Sequence, residues 1–193
     1  MTVFNQKGKL VIVTAPSGAG KTTIVHHLLK TFTQLAFSVS ATNRPKRSGE
    51  VDGKDYYFLD TETIKRRINA GEFVEYEEVY ENRFYGTLKE EVEKLWAQNK
   101  CIVFDVDVKG ALSLKNKFQA SALTIFVEPP SKEVLITRLK NRNTETAQTL
   151  EQRIIKAEEE LMYASSFDVK LVNDTLKHAL QEADALVKNF LES

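Results

Sequence analysis

The eight residues APSGAGKT, at positions 15–22, nearly spell a phosphate-binding loop. They match the pattern G-x-x-x-x-G-K-[ST] except at the first position, where alanine replaces glycine. Gly18 and Gly20 allow the backbone to turn its N–H groups towards a phosphate without an obstructing Cβ. Lys21 would bring an ammonium to the terminal phosphates, and Thr22 a hydroxyl to Mg²⁺. The alternative is a glycine-rich turn that matches the pattern by chance.

The segments on either side of the loop favour a phosphate site over a chance match. Residues 9–15, KLVIVTA, form an apolar run that is typical of a strand buried on both faces of a parallel sheet. Residues 22–33 place apolar side chains at helical spacing. A strand, a glycine loop and a helix in this order are the context that the pattern requires. Ala15 fits this context if its φ is negative, because position 15 lies where the strand ends.

Strands and helices alternate along the rest of the chain. We expect strands at residues 37–43, 56–58, 101–106, 123–127 and 169–172, with short strands between residues 73 and 85. We expect helices at residues 61–70, 88–99, 131–142 (capped by Ser131), 150–163 and 176–191, and loops at 44–54 and 142–149. This alternation predicts an α/β fold with a parallel sheet.

Composition limits the classes of function. The 193 residues favour one compact domain. The 27 basic and 27 acidic residues give no net charge, whereas a general nucleic-acid binder usually has a basic excess. The single cysteine, Cys101, excludes an intrachain disulfide and suits a reducing compartment. No apolar run approaches the about 18 residues of a membrane span, and no signal peptide is recognisable. We therefore expect a cytoplasmic protein that binds neither nucleic acid nor membrane.

Two acidic residues, Asp105 and Asp107 in the sequence FDVD, end an apolar strand on the same face. Ligands of α/β sheets bind outside the carboxyl ends of the strands. A carboxylate at that edge can hold the water shell of a phosphate-bound Mg²⁺. The alternative is a pair of solvated acids, which the phosphate loop makes the weaker interpretation.

One pair of arginines follows a serine and precedes two tyrosines. Arg44 and Arg47 lie in a polar loop after Ser40, and Tyr56 and Tyr57 come next. A guanidinium group can donate two parallel hydrogen bonds to phosphate oxygens, and tyrosine hydroxyls can donate further ones. An exposed basic turn is an equally good interpretation of this segment alone.

A second group of arginines lies near the predicted helices of residues 131–142 and 150–163. Arg138 and Arg142 share one helical face, and Arg153 comes from the next helix. Arginines on a closing lid stabilise the charge of a transferring phosphoryl group. Without the other motifs, a solvated helix surface would be the preferred interpretation.

Together these motifs resemble the guanylate kinase family over nearly the whole chain. The resemblance lies in the segments APSGAGKTT, FSVSATNRPKRSGEVDGKDYYF, GEFVEY, YGT, FDVDVKGA, RLKNRNTET and VND. It implies a P-loop core with a parallel sheet at residues 1–36, 88–129 and 161–193, an inserted GMP-binding region at 37–87 and a helical lid at 130–160. It also implies Mg²⁺-dependent phosphoryl transfer from ATP to GMP, and to dGMP, by a monomer or a homodimer.

The resemblance also assigns roles to single residues. The positions that would bind ATP are Ala15, Pro16, Ser17, Gly18, Ala19, Gly20, Lys21, Thr22, Thr23, Arg138 and Asn173. The positions that would bind GMP are Arg44, Arg47, Tyr56 and Tyr85 for the phosphate, and Ser40, Glu75, Thr87 and Asp107 for the guanine. Thr22, and Asp105 through water, would hold Mg²⁺. The groups expected to act in catalysis are Lys21, Arg44, Arg138, Arg142 and Arg153.

The guanine assignment agrees with the chemistry of the base. The N1–H and amino donors of guanine suit a carboxylate such as Glu75, and its O6 acceptor suits a hydroxyl such as Ser40. Adenine reverses this pattern and would leave buried groups unpaired. The pair therefore disfavours a kinase for another nucleoside monophosphate or for a phosphorylated sugar. Lys21, Thr22 and Asp105 disfavour a non-catalytic protein-binding module of the same family.

Three features depart from the pattern of the family. Alanine stands at position 15, the segment TNRPKR has an asparagine and an inverted proline–lysine order, and the interval from Glu75 to Tyr85 is one residue longer. The two arginines of TNRPKR keep their spacing of three, so we still expect a phosphate site there.

Overall fold

Strands and helices alternate along most of the chain, as predicted from the sequence. The computed structural model describes residues 8–140 and 147–193. The strands are β1 (Leu10–Thr14), β2 (Leu35–Phe37), β3 (Ala41–Thr42), β4 (Tyr57–Phe58), β5 (Phe73–Tyr80), β6 (Arg83–Leu88), β7 (Cys101–Asp105), β8 (Ala122–Glu128) and β9 (Val169–Val172). The helices are α1 (Lys21–Thr31), α2 (Thr61–Asn69), α3 (Lys89–Ala97), α4 (Val108–Phe118), α5 (Lys132–Lys140), α6 (Ala147–Leu161) and α7 (Leu176–Glu192).

A five-stranded parallel sheet has the strand of the glycine loop at its centre. Its order is β2-β7-β1-β8-β9, and every neighbouring pair is parallel. All five residues of β1 are buried, as expected for a strand covered on both faces. Val13 of β1 lies opposite Asp105 of β7. The glycine loop and Asp105 therefore leave the sheet at the same edge.

The two faces of this sheet carry separate apolar clusters. Val11 and Val13 point to one face, where they pack with residues of α1 and α7. Leu10 and Ile12 point to the other face, where they pack with residues of α3 and α4. This alternation is the two-residue period of a strand, and it gives a three-layer α/β/α core. The predicted α/β fold with a parallel sheet is confirmed.

A second, smaller sheet lies within residues 41–88. Its order is β4-β3-β6-β5, with β3 and β4 parallel and the other two pairs antiparallel. It has its own apolar cluster, formed by Ala41, Ile64, Phe73, Phe84 and Leu88. Helix α2 contributes Ile64 to this cluster and is capped by Asp60, whose carboxylate accepts the Thr63 N–H at 2.7 Å.

One expectation from the sequence was wrong, and one helix was missed. Residues 37–43 are not one strand: Phe37 ends β2 in the parallel sheet, and Ala41 begins β3 in the small sheet. The alternating pattern of residues 37–43 did not reveal the junction, because the segments on both sides of it form strands. Helix α4 was not expected, although Asp107 caps it by accepting the Gly110 N–H at 2.8 Å.

Helix α5 begins as expected, since the Ser131 hydroxyl accepts the Val134 N–H at 3.3 Å. Arg142 and the expected loop up to residue 146 lie outside the described residues. None of the helices within residues 8–140 and 147–193 has the length and apolar character to cross a lipid bilayer.

Candidate active site

The glycine loop connects β1 to α1 with the geometry that the pattern requires. Gly18 has a φ of 89° and Gly20 a φ of 97°, a region that favours glycine. Helix α1 begins at Lys21, so the positive end of its dipole points to the loop. A side chain at Gly20 would also displace Asn173, because its Cβ would lie 2.3 Å from Nδ2 of Asn173.

Ala15 stands where the family pattern has a glycine. Among the described residues other than glycine, positive φ values occur at Asn82, Asn99 and Gln119, so the backbone at Ala15 does not need a glycine. The Ala15 side chain is 6% exposed and belongs to the apolar cluster under α1. Alanine at this position is therefore compatible with the loop.

Two side chains hold the loop by its Ala19 carbonyl. Asn173, which follows β9, donates its Nδ2 to Ala19 O at 2.7 Å. Arg138 of α5 reaches the same oxygen from Nη1 at 3.5 Å and the Asn173 carbonyl from Nη2 at 3.1 Å. Both residues were predicted to bind ATP, and the structure places both against the backbone of the loop.

Lys21 and Asp105 form the ion pair at the centre of the site. Lys21 Nζ lies 2.7 Å from Asp105 Oδ1 and donates to the Val106 carbonyl at 2.7 Å. Both side chains are 19% exposed. They line a cavity of about 540 Å³ that is bounded by the loop, Thr22, Arg153 and other residues, and we call it the loop cavity.

The oxygen groups of the loop cavity fit Mg²⁺. Thr22 and Asp105 both line it, and a hydroxyl and a carboxylate are donors that Mg²⁺ prefers. Within the described part of the chain, no cluster of three His, Cys, Asp or Glu residues could hold a metal ion alone. A Mg²⁺ ion here would rely on nucleotide phosphates and water for its other ligands.

A second cavity, of about 220 Å³, opens between the small sheet and the parallel sheet; we call it the acceptor cavity. The predicted guanine and phosphate residues that line it are Ser40, Tyr56, Glu75, Tyr85 and Asp107. The two cavities share Ser40, Tyr56, Asp105, Asp107 and Lys156 as lining residues, so they meet along a common wall.

Glu75 is the buried carboxyl of the acceptor cavity. It is 7% exposed, and its Oε1 accepts the hydroxyl of the fully buried Thr87 at 2.8 Å. Burial raises the pKa of Glu75 to about 7, against the lowering effect of the Thr87 hydrogen bond, and the nearby Asp107 carboxylate raises it further. Thr87 is not among the lining residues of either cavity. Its described contact with the site is the hydrogen bond to Glu75.

Asp107 caps helix α4 and also lines both cavities. Its Oδ1 accepts the Gly110 N–H at 2.8 Å as the cap of α4, which leaves Oδ2 for another donor. A Cβ at Gly110 would lie 3.2 Å from both Asp107 Oδ1 and Glu75 Oε2. The glycine thus lets the first turn of α4 come close to both carboxylates.

The interval from Glu75 to Tyr85 includes an uninterrupted stretch of pairing between β5 and β6. Glu75 lies opposite Thr87, and Glu77 lies opposite Tyr85, in one uninterrupted register. The register shifts between Glu78 and residue 80, near the hairpin end. It also shifts between Phe73 and Glu75, so the paired positions of Glu75 and Glu77 lie between two irregularities of β5.

Arg44 is held by a carboxylate that the sequence motifs did not identify. Its guanidinium forms a bidentate pair with Glu50 and lies 4.9 Å from the ring centre of Tyr56. The backbone N–H of Arg47 donates to the same carboxylate at 2.8 Å, and the Arg47 side chain is exposed. Neither arginine lines the two cavities. Only the position of Glu50 in a polar loop could have suggested this contact.

Helix α6 brings three charged residues to the loop cavity. Arg153, which was predicted, lines it together with Lys156 and Glu160, which were not. Their spacing of three and four residues places them on one helical face, and this is the signal that could have identified them.

Comparison with known proteins agrees with this geometry. The family model described as guanylate kinase matches residues 7–191. The chain belongs to the guanylate kinase family. A guanylate kinase of Porphyromonas gingivalis is 47% identical over 95% of this chain and 98% of the relative, and one of Bacteroides thetaiotaomicron is 49% identical over 98% and 93%. The crystal structure of guanylate kinase from Anaplasma phagocytophilum superposes with a TM-score of 0.73 at 28% identity, over 97% of this chain and 86% of that one.

The backbone at position 15 yields a first prediction. Replacing Ala15 with glycine restores the family residue, yet we expect the free energy of unfolding to fall by about 1–2 kcal/mol, because a buried methyl is lost and the unfolded chain gains freedom. Urea unfolding of the two proteins measures this difference. An increase in stability would contradict the account, since it would mean that Ala15 strains the loop.

Proposed function

We propose that the chain is a guanylate kinase that transfers the γ-phosphoryl group of ATP to GMP, giving ADP and GDP, with Mg²⁺ as the required metal ion. The observation that carries this proposal is the common wall of the two cavities. One cavity has the phosphate loop, and the other has a buried carboxyl suited to guanine. A donor in the first and an acceptor in the second would meet at Ser40, Tyr56 and the two aspartates.

The loop cavity is the proposed ATP site. The backbone N–H groups of the loop and the start of α1 would bind the phosphates, and Lys21 would exchange part of its contact with Asp105 for a phosphate oxygen. Asn173 and Arg138 would keep the loop in place through Ala19. Mg²⁺, near Thr22 and the water shell of Asp105, would neutralise phosphate charge and align the reacting groups.

The acceptor cavity is the proposed GMP site. The ionised Glu75 accepts from the N1–H and amino groups of guanine, Asp107 offers a second acceptor, and Ser40 donates to O6. Tyr56, Tyr85 and the arginine pair would bind the phosphate. Arg44 and Arg47 reach it only if their side chains turn from their present positions. None of these contacts uses the 2′-hydroxyl, so the proposal includes dGMP.

The reaction needs no general base. The second pKa of the GMP phosphate is about 6, so this group is largely dianionic at neutral pH and already nucleophilic. The side chains that line the common wall would position it in line with the γ-phosphorus. Arg138, Arg142 and Arg153 belong to the proposed lid, residues 130–160, and would neutralise the transferring group and exclude water.

The proposal also covers the division of the chain into regions, its cellular location, its partners and its oligomeric state. We assign residues 1–36, 88–129 and 161–193 to the P-loop core and residues 37–87 to GMP binding, which the separate small sheet and its apolar cluster support. A cytoplasmic location, the absence of nucleic-acid and membrane partners, and a monomeric or homodimeric state remain predictions from the sequence.

Nucleotide specificity provides the direct assay. With Mg-ATP as donor, we expect ADP release with GMP and dGMP, and at least about 10³-fold lower kcat/KM with AMP, CMP and UMP, because these bases leave the buried carboxyl unpaired. A coupled ADP assay measures all five acceptors. Turnover of AMP at a rate similar to GMP would refute the guanine site while leaving a P-loop kinase.

Two lysines of α1 allow a controlled test of the loop as the ATP site. Lys21→Ala should lower kcat by at least about 10²-fold, with GMP affinity largely retained. Lys30→Ala removes an exposed lysine from the same helix and should leave the rate unchanged. Equal activity in the two variants would eliminate the loop as the ATP site.

The buried carboxyl predicts a pH dependence of GMP binding. Glu75 must be ionised to accept from guanine, and its pKa is raised to about 7. GMP affinity should therefore increase as pH rises, and the carboxyl alone should contribute about tenfold between pH 6 and pH 8. Calorimetric dissociation constants at pH 6, 7 and 8 measure the change.

Glu75→Gln separates this effect from titration of the GMP phosphate. Glutamine keeps the shape and cannot ionise, so the variant should bind GMP more weakly and retain only the pH dependence of the phosphate. Identical pH profiles for the two proteins would show that Glu75 does not contact guanine in its ionised form.

A further inference from the structure

Helix α6 is fixed in position relative to the phosphate loop. Ala157 of α6 is 1% exposed and packs against Leu135 and Leu139 of α5. Leu139 in turn lies under the loop, since a Cβ at Gly18 would be 3.1 Å from its Cδ2. The charged face of α6 therefore has a defined place above the loop cavity.

The end of α6 lies beside the loop. Glu160 has a side chain that is 13% exposed, and it lines the loop cavity together with Ser17. Burial is the main cause that raises the pKa of Glu160, and the Lys156 and Lys21 ammonium groups oppose this rise. The preceding turn of α6 carries Lys156.

Lys156 occupies a position that no other basic residue in the described part of the chain shares. It lines both the loop cavity and the acceptor cavity, whereas Lys21 and Arg153 line only the loop cavity. Its Nζ lies 3.9 Å from Glu160 Oε1, which is an ion pair without a hydrogen bond. The side chain is 51% exposed, so its ammonium can turn towards a ligand at the common wall.

The carboxylates of the common wall favour a cation there. Asp105 and Asp107 both face it, and phosphate groups that meet between the cavities would be repelled by these carboxylates. Lys21 offsets Asp105, which it contacts at 2.7 Å. On the acceptor side, the described lining residues offer Lys156 as the cation.

We propose that Lys156 binds the phosphate oxygens at the point of transfer, where it stabilises the charge that develops as the γ-phosphoryl group moves. This inference rests on the proposed function. The bond between the γ-phosphorus and the bridging oxygen of ADP breaks, and a bond from a GMP phosphate oxygen to that phosphorus forms. The electron pair of the broken bond leaves with ADP. The ammonium donates hydrogen bonds throughout and loses no proton.

A lysine on the neighbouring helix provides a matched control. Lys132 of α5 is 53% exposed and pairs with Glu158 of α6 at 2.8 Å, so it resembles Lys156 in exposure and in its partner. It does not line either cavity. Lys132→Gln therefore removes a similar charge and a closer ion pair without touching the common wall.

The experiment compares Lys156→Gln, Lys156→Arg and Lys132→Gln by steady-state kinetics with Mg-ATP and GMP. We expect Lys156→Gln to lower kcat by about 10- to 100-fold, with smaller changes in both KM values, because the contact strengthens in the transition state. Lys156→Arg should recover most of the rate. Lys132→Gln should keep it, and thermal unfolding should show that all three variants fold.

Two results would overturn the inference. One is a kcat for Lys156→Gln that equals that of Lys132→Gln, which would make Lys156 a surface ion-pair residue. The other is an equal loss in Lys156→Arg and Lys156→Gln, which would mean that the positive charge is not what matters. If the unaltered chain fails to phosphorylate GMP, the proposed function itself is refuted, and this inference falls with it.

Discussion

The ion pair between Lys21 and Asp105 is the interaction on which the site depends. Lys21 is the first residue of α1, and Asp105 is the last residue of β7, so their 2.7 Å contact joins the phosphate loop to the neighbouring strand. Parallel pairing of β1 with β7 makes this possible, because Val13 and Asp105 lie side by side where both strands end. Loss of either partner would leave the other charge largely buried and unpaired, which is costly.

The acceptor side is shaped by a different constraint, which is the burial of carboxyl groups close together. Glu75 and Asp107 each have one oxygen satisfied by the protein, from the Thr87 hydroxyl and the Gly110 N–H respectively. The other oxygens remain for a ligand with several donors, and a guanine edge is such a ligand. Their mutual repulsion adds to the effect of burial on the pKa of Glu75, so this side of the site is tuned by neighbouring charge as well as by shape.

The parts predicted best from the sequence are those encoded by local patterns. The loop, its flanking strand and helix, and the parallel sheet follow from glycine positions and apolar periodicity. Helix α4 was missed although its cap, Asp107, had been noticed as a candidate ligand. Glu50 was missed because its contact with Arg44 depends on the conformation of a polar loop. Lys156 and Glu160 were missed because their place at the loop cavity depends on how α6 packs. Despite the longer interval before Tyr85, Glu75 pairs with Thr87 and Glu77 with Tyr85, which only the structure could show.

A crystal structure with ADP and GMP bound together would test the central claim most directly. The account predicts the ADP phosphates at the loop of residues 15–22, the guanine edge against Glu75 and Asp107, and the GMP phosphate at the wall shared by the two cavities, within reach of Lys156. Guanine bound away from Glu75, or phosphates bound away from the loop, would contradict it. Either result would mean that at least one of the two cavities does not have its proposed role.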